Sequence, residues 1–176
     1  QIIERDIFSS EPENVNIEQA TTGDVILSTN NELLWGINEN GKGVVTVDTD
    51  MTKAVIGTVH NAPYNLGGVV IDPKENMQDW AVITLTKIEG KNFSSKGRIL
   101  VTATGYTENT GMTKAKAGNN SSFNWGVSPV LVEGIPASIT LPVKAKNVKV
   151  WALDEKGQRK GSVPVENVNN KATFNI

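Results

Sequence analysis

A chain of 176 residues sets an expectation of one domain, or one domain with a short extension, long enough to bury a core. Seventeen Lys and Arg against nineteen Asp and Glu leave a net charge of −2. The densest basic stretch, Lys144, Lys146 and Lys149, alternates with apolar residues as the exposed side of a strand would, so a counterion-releasing nucleic-acid surface is not expected. No apolar run approaches the roughly 18–20 residues of a membrane-spanning helix. The absence of Cys excludes disulfides, thiolate metal sites and a Cys nucleophile, and leaves the compartment open. No signal peptide is visible behind Gln1, which reads as the start of a mature or excised segment.

The composition favours strands. Twenty Val, 14 Ile and 16 Thr outnumber 11 Ala and 9 Leu, and β-branched side chains pack better on a pleated surface than against a helical turn. Sixteen Gly, seven Pro and 19 Asn supply turns. Residues 1–23 are irregular, with Ile2, Ile3, Ile7 and Phe8 before the break at Pro12, and read as an extension or linker ahead of a module over 24–176. Strands are then expected at 25–28 and 32–37. Asn40-Gly41 marks a hairpin turn into the next strand, at 43–48. Further strands follow at 53–59, 67–71, 80–88, 97–104, 127–133, 137–141, 146–153, 161–165 and 171–176. About eleven short strands with turns between them, and no amphipathic helix of three turns, predict an all-β, antiparallel, jelly-roll-like sandwich. The stretch 105–126, rich in Asn, Gly, Ser and Thr, interrupts that rhythm as a long loop of the kind that carries function or lacks order.

Few residues could support catalysis. The one imidazole, His60, precedes Asn61-Ala62-Pro63, no serine sits in a G-x-S-x-G elbow, and zinc lacks ligands. The carboxylates Asp48, Asp50, Glu108 and Glu133 fall at strand ends or in the long loop, where sequence spacing cannot set two of them across a glycosidic bond. Oxygen ligands for a structural calcium are available at Asp48, Asp50 and Asp72, without an EF-hand pattern to single them out. Otherwise no cofactor is expected.

The aromatic and amide residues point elsewhere. Sugars expose C–H faces that stack on flat rings, while amides and charged groups reach their hydroxyls. Trp35 shares a face with Leu33 and Ile37, which favours core packing yet keeps it a ligand candidate. Trp80 opens a strand that is apolar on both faces and is expected to be buried. Trp151 opposes Val148, Val150 and Ala152 and is either a half-exposed platform or a cover over the sheet edge. Trp125, Phe123, Tyr106 and Tyr64 are placed in loops, where rings contact ligands or plug the sandwich end. With Asn119 and Asn124 from the long loop they complete the candidate binding set.

Three segments carry a resemblance: Arg98 to Gly105 followed by Glu108-Asn109-Thr110-Gly111-Met112; Trp125-Gly126-Val127-Ser128-Pro129-Val130-Leu131-Val132-Glu133; and Val148-Lys149-Val150-Trp151-Ala152-Leu153-Asp154. Together with the Val47-Asp48-Thr49 strand upstream, residues 24–176 are similar to the β-sandwich module at the C-terminal end of bacterial multidomain glycoside hydrolases. The resemblance implies a secreted, non-catalytic carbohydrate-binding module. Its partners would be a tethered catalytic domain and a polysaccharide or oligosaccharide of the plant cell wall, with neither nucleic acid nor membrane. No binding residue is carried over from it. Two other readings are left open: a structural sandwich that packs on the catalytic domain and binds no sugar and, ranked below it, a stand-alone enzyme with two carboxylates facing each other in a cleft.

Overall fold

The computed structural model describes residues 25–37, 42–59, 62–114 and 122–176. The chain lays down β1 (Val25–Leu27), β2 (Leu33–Ile37), β3 (Gly43–Asp48) and β4 (Thr52–Thr58), then β5 (Tyr64–Leu66), β6 (Val69–Pro73), β7 (Trp80–Lys87) and β8 (Ile99–Thr104). Four short strands follow: β9 (Thr107–Thr110), β10 (Thr113–Lys114), β11 (Ser122–Asn124) and β12 (Val127–Val132). After β13 (Ala137–Leu141) come a 3-10 turn at Ala145–Asn147, β14 (Val150–Leu153), β15 (Arg159–Val163), β16 (Glu166–Val168) and β17 (Lys171–Asn175). One antiparallel sheet has the order β1-β2-β3-β4-β7-β8 and a second the order β16-β17-β13-β6-β5. The β5–β6 hairpin therefore leaves a simple meander to seed the second sheet, and β7 returns to finish the first.

Strand alternation explains how the two sheets meet. Val44, Val55, Ala81, Ile83 and Leu85 from the first sheet share one buried cluster with Val69, Ile71, Ala137, Ile139, Leu141, Ala172 and Phe174 from the second. Register brings Val55 opposite Ile83 and Ile71 opposite Ile139, so large β-branched side chains stack in rows across each sheet. Each such side chain stabilises the fold by about 1.5–3 kcal/mol on burial. At one end of the sandwich Lys53 is buried, ion-paired with Asp48, with its ammonium 5.5 Å from the centre of the Phe93 ring. Lys87, also buried, donates to the Ser95 carbonyl at 2.6 Å.

The antiparallel sandwich is as the strand spacing predicts, but the described residues hold seventeen strands rather than about eleven. Most of the surplus lies where turn-forming residues mask short ladders. In the stretch 105–126, expected to be a long loop, the described residues form β9, β10 and β11, with β9 pairing to β12 and β10 to β11. Lys144 and Lys146 belong to the 3-10 turn and its flank rather than to a strand. The reading of residues 1–23 as an extension lies outside the described residues.

Candidate functional site

The outer face of the six-stranded sheet is the most unusual surface of the described chain. Alternation sends Ile26, Leu33, Trp35, Ile37, Val45, Val47, Ile56, Trp80, Val82 and Leu100 outward, together with Thr52, Thr58, Thr84, Thr86, Thr102 and Thr104. The row Ile26, Trp35, Val45, Ile56, Val82, Thr104 runs unbroken across all six strands. These six strands contain three ionisable residues, Asp48, Lys53 and Lys87, and all three fall on the opposite, inward face. That is the reverse of the usual pattern, in which a solvated face collects the charges. The outer face of the second sheet shows the ordinary arrangement, with Asp72, Glu166 and Lys171 and a Thr140–Thr173 hydroxyl pair at 2.9 Å.

Two indoles stand on this uncharged face. Trp35 is 42% exposed and Trp80 41%. Trp35 leans from β2 over the bare backbone of Gly43 in β3, where a methyl group would lie 3.5 Å from its Nε1. Gly57, in the adjacent strand β4 opposite Val44, allows β3 this position: its φ is +122°, and a methyl group there would meet the Gly43 carbonyl at 2.4 Å. Trp80 opens β7 beside Thr58 of β4. The expected burial of Trp80 is thus corrected. Its strand is apolar on both faces, but only the Ala81, Ile83, Leu85 side is covered by the second sheet. The signal was present in Thr84 and Thr86, which share its face.

The other candidates are scattered. Tyr64 is in β5, not a loop, half-buried against the core opposite Ile71, and burial raises its phenol above the ordinary value of 10.0. Trp151 is half-exposed on the β14–β15 ribbon, one ring face taken by the Arg159 guanidinium 4.9 Å from its centre. Trp125, 68% exposed, stands between β11 and β12. Tyr106 is half-buried at the ribbon base, its hydroxyl donating to Glu108 at 2.7 Å. Asn124 is spent on the backbone, donating to the Gly111 carbonyl at 3.3 Å and accepting from the Gly126 amide at 3.0 Å. Asn119 lies outside the described residues, as do His60 and the side chain of Phe123, whose backbone is in β11.

Several of the carboxylates weighed for catalysis or calcium are engaged by neighbouring groups. Glu133 accepts from the Met77 amide at 2.5 Å and the Tyr106 amide at 3.1 Å, clasping the ribbon base. Asp48 pairs with Lys53 and Asp72 with Lys74. Among the described residues no three His, Asp or Glu side chains gather as metal ligands, and no helix is long and apolar enough to cross a membrane. The concavities include two open clefts of about 250 and 220 Å³, the first against Lys144, Lys146 and Asn167, the second against Asp50, Lys53 and Phe93. Compared with known proteins, the chain matches no family model, no curated protein and no solved structure.

Proposed function

We propose that the module binds a neutral plant cell-wall polysaccharide, a β-linked glucan or hemicellulose, on the outer face of its six-stranded sheet. It acts as a secreted, non-catalytic anchor for a covalently attached glycoside hydrolase. The observation that carries this reading is a sheet face to which the six described strands turn no ionisable side chain, and on which two half-exposed indoles stand. An uncharged, C–H-rich face is complementary to a neutral sugar chain and offers nothing to an anionic one. The resemblance of residues 24–176 to ancillary modules of glycoside hydrolases points the same way. Covering roughly 80 Å² of one indole is worth about 2 kcal/mol. Affinity per module is therefore modest, and the benefit lies in the raised local concentration of the attached enzyme.

Depletion of the chain from solution onto insoluble cellulose, mixed-linkage β-glucan, xyloglucan, xylan and mannan tests the reading. Retention on at least one is expected, reduced about tenfold or more by Trp35→Ala or Trp80→Ala. Retention on none refutes it.

A second reading, a structural sandwich docked on a neighbouring domain, is favoured by one separate observation. Every residue of β12 is exposed, including Val127, Val130, Leu131 and Val132, and among the described residues β12 pairs with β9 alone. A two-stranded ribbon with exposed apolar residues lacks the cover such elements need. Under this reading Val130→Lys with Val132→Lys improves the solubility of the isolated chain, and no polysaccharide retains either form.

A further inference from the structure

Resting on the carbohydrate reading, we propose that the sheet face takes an extended, equatorially linked chain laid across the strands, one ring on Trp80 and the next but one on Trp35, so that the site measures chain length and linkage geometry. Trp80 belongs to β7 and the Trp35 indole lies over Gly43 of β3, with β4 between them. Neighbouring strands are about 4.7–4.9 Å apart, so β7, which carries Trp80, and β3, over which the Trp35 indole lies, are about 9–10 Å apart. One strand spacing is close to the advance of one pyranose ring in an extended β-linked chain. A chain crossing the strands therefore sets alternate rings on the two indoles, with the ring between them above β4 at Thr58, the residue that pairs with Trp80.

Linkage follows from the same geometry. The described floor between the indoles is a pleated sheet, and successive equatorial 1,4 linkages keep a sugar chain as flat as that floor. Axial linkages coil the chain away from the plane, so its next-but-one ring leaves the surface before reaching the second indole. Charge adds a further restriction, since no Lys or Arg on the strands of this face can pair with a uronic acid.

Titration of the whole chain with β-1,4-gluco-oligosaccharides of two to six rings, read by tryptophan fluorescence and set beside the α-1,4 series, tests the proposal. Affinity is expected to tighten about tenfold between two and four β-linked rings and little beyond. The α series stays flat, and Trp35→Ala or Trp80→Ala removes the tightening. Gly43→Val keeps both indoles in the sequence but unseats Trp35, and gives the same loss if an alanine variant fails to fold. Length-independent binding, equal tightening with α-linked chains, or a response removed by Trp125→Ala instead overturns the proposal and leaves the carbohydrate reading standing. Self-association of the chain through Trp35 and Trp80, or the absence of binding to any soluble or insoluble glycan, overturns both.

Discussion

The exposure of Trp35 depends on two residues that have no side chain. Gly57 tolerates a φ of +122° and the approach of the Gly43 carbonyl, which holds β3 where the indole can rest on it. Gly57→Ala places a Cβ against that carbonyl in a backbone region closed to L residues, and should destabilise the fold by about 3 kcal/mol or more in denaturant titration. Tyr64 gives a test by pH. Its folded-state phenol is raised above 10.0 by burial, so the stability it contributes is intact below pH 10 and is lost as pH rises through the folded value. Lys87, lowered from 10.5 by burial, acts in the opposite sense, gaining stability as pH rises towards 10.5. The comparison must therefore be made between variant and parent. Tyr64→Phe should lose the late tyrosinate absorbance step and show a shallower alkaline fall in stability than the parent. At this scale the sequence showed which residues alternate but not which side is covered. Trp80 and Ala81 belong to one alternating strand, and only the β5–β6 crossover decides that the second sheet lies over Ala81.

Among the elements, β3, β4 and β7 were readable because β-branched residues recur with period two between clear turns, and their register leaves each hydrophobic set on one side. The β9–β12 ribbon was not readable. Its strands are short, Asn and Gly interrupt them, and its order comes from side chains bonded to backbone. Asn109 donates to the Trp125 carbonyl at 2.7 Å, Thr110 to the Pro129 carbonyl at 2.8 Å, and Glu133 holds two amides at the base. The Asn-rich composition that suggested sugar-contacting amides in this stretch is, at Asn109 and Asn124, bracing for the ribbon itself. Glu133→Ala leaves the part-buried Tyr106 amide without its acceptor and gives the exposed Met77 amide to water, and should cost about 1 kcal/mol locally. Faster amide hydrogen exchange at 105–110 and 127–132, with little change in the core strands β4 and β7, is the expected outcome.

At the scale of the molecule, the sandwich turns one polar sheet and one uncharged sheet to solvent, while the ionisable groups of the uncharged sheet are turned inward. Fold class was accessible from composition and turn spacing, because a sandwich is what many half-apolar strands must form. The location of the binding surface was not, because half-exposed and buried indoles occupy identical sequence patterns until the covering sheet is placed. The fold itself rests on the shared core, and Ile83→Ala there should cost about 2–5 kcal/mol without selectively altering either indole. The chain's four tryptophans give four indole N–H signals in a two-dimensional proton–nitrogen spectrum, and titration with a soluble β-1,4-gluco-oligosaccharide follows them together. The signals of Trp35 and Trp80 should move in step with saturation while those of Trp125 and Trp151 hold still. Movement confined to Trp125 or Trp151, or of no indole at all, would contradict a sugar-binding sheet face.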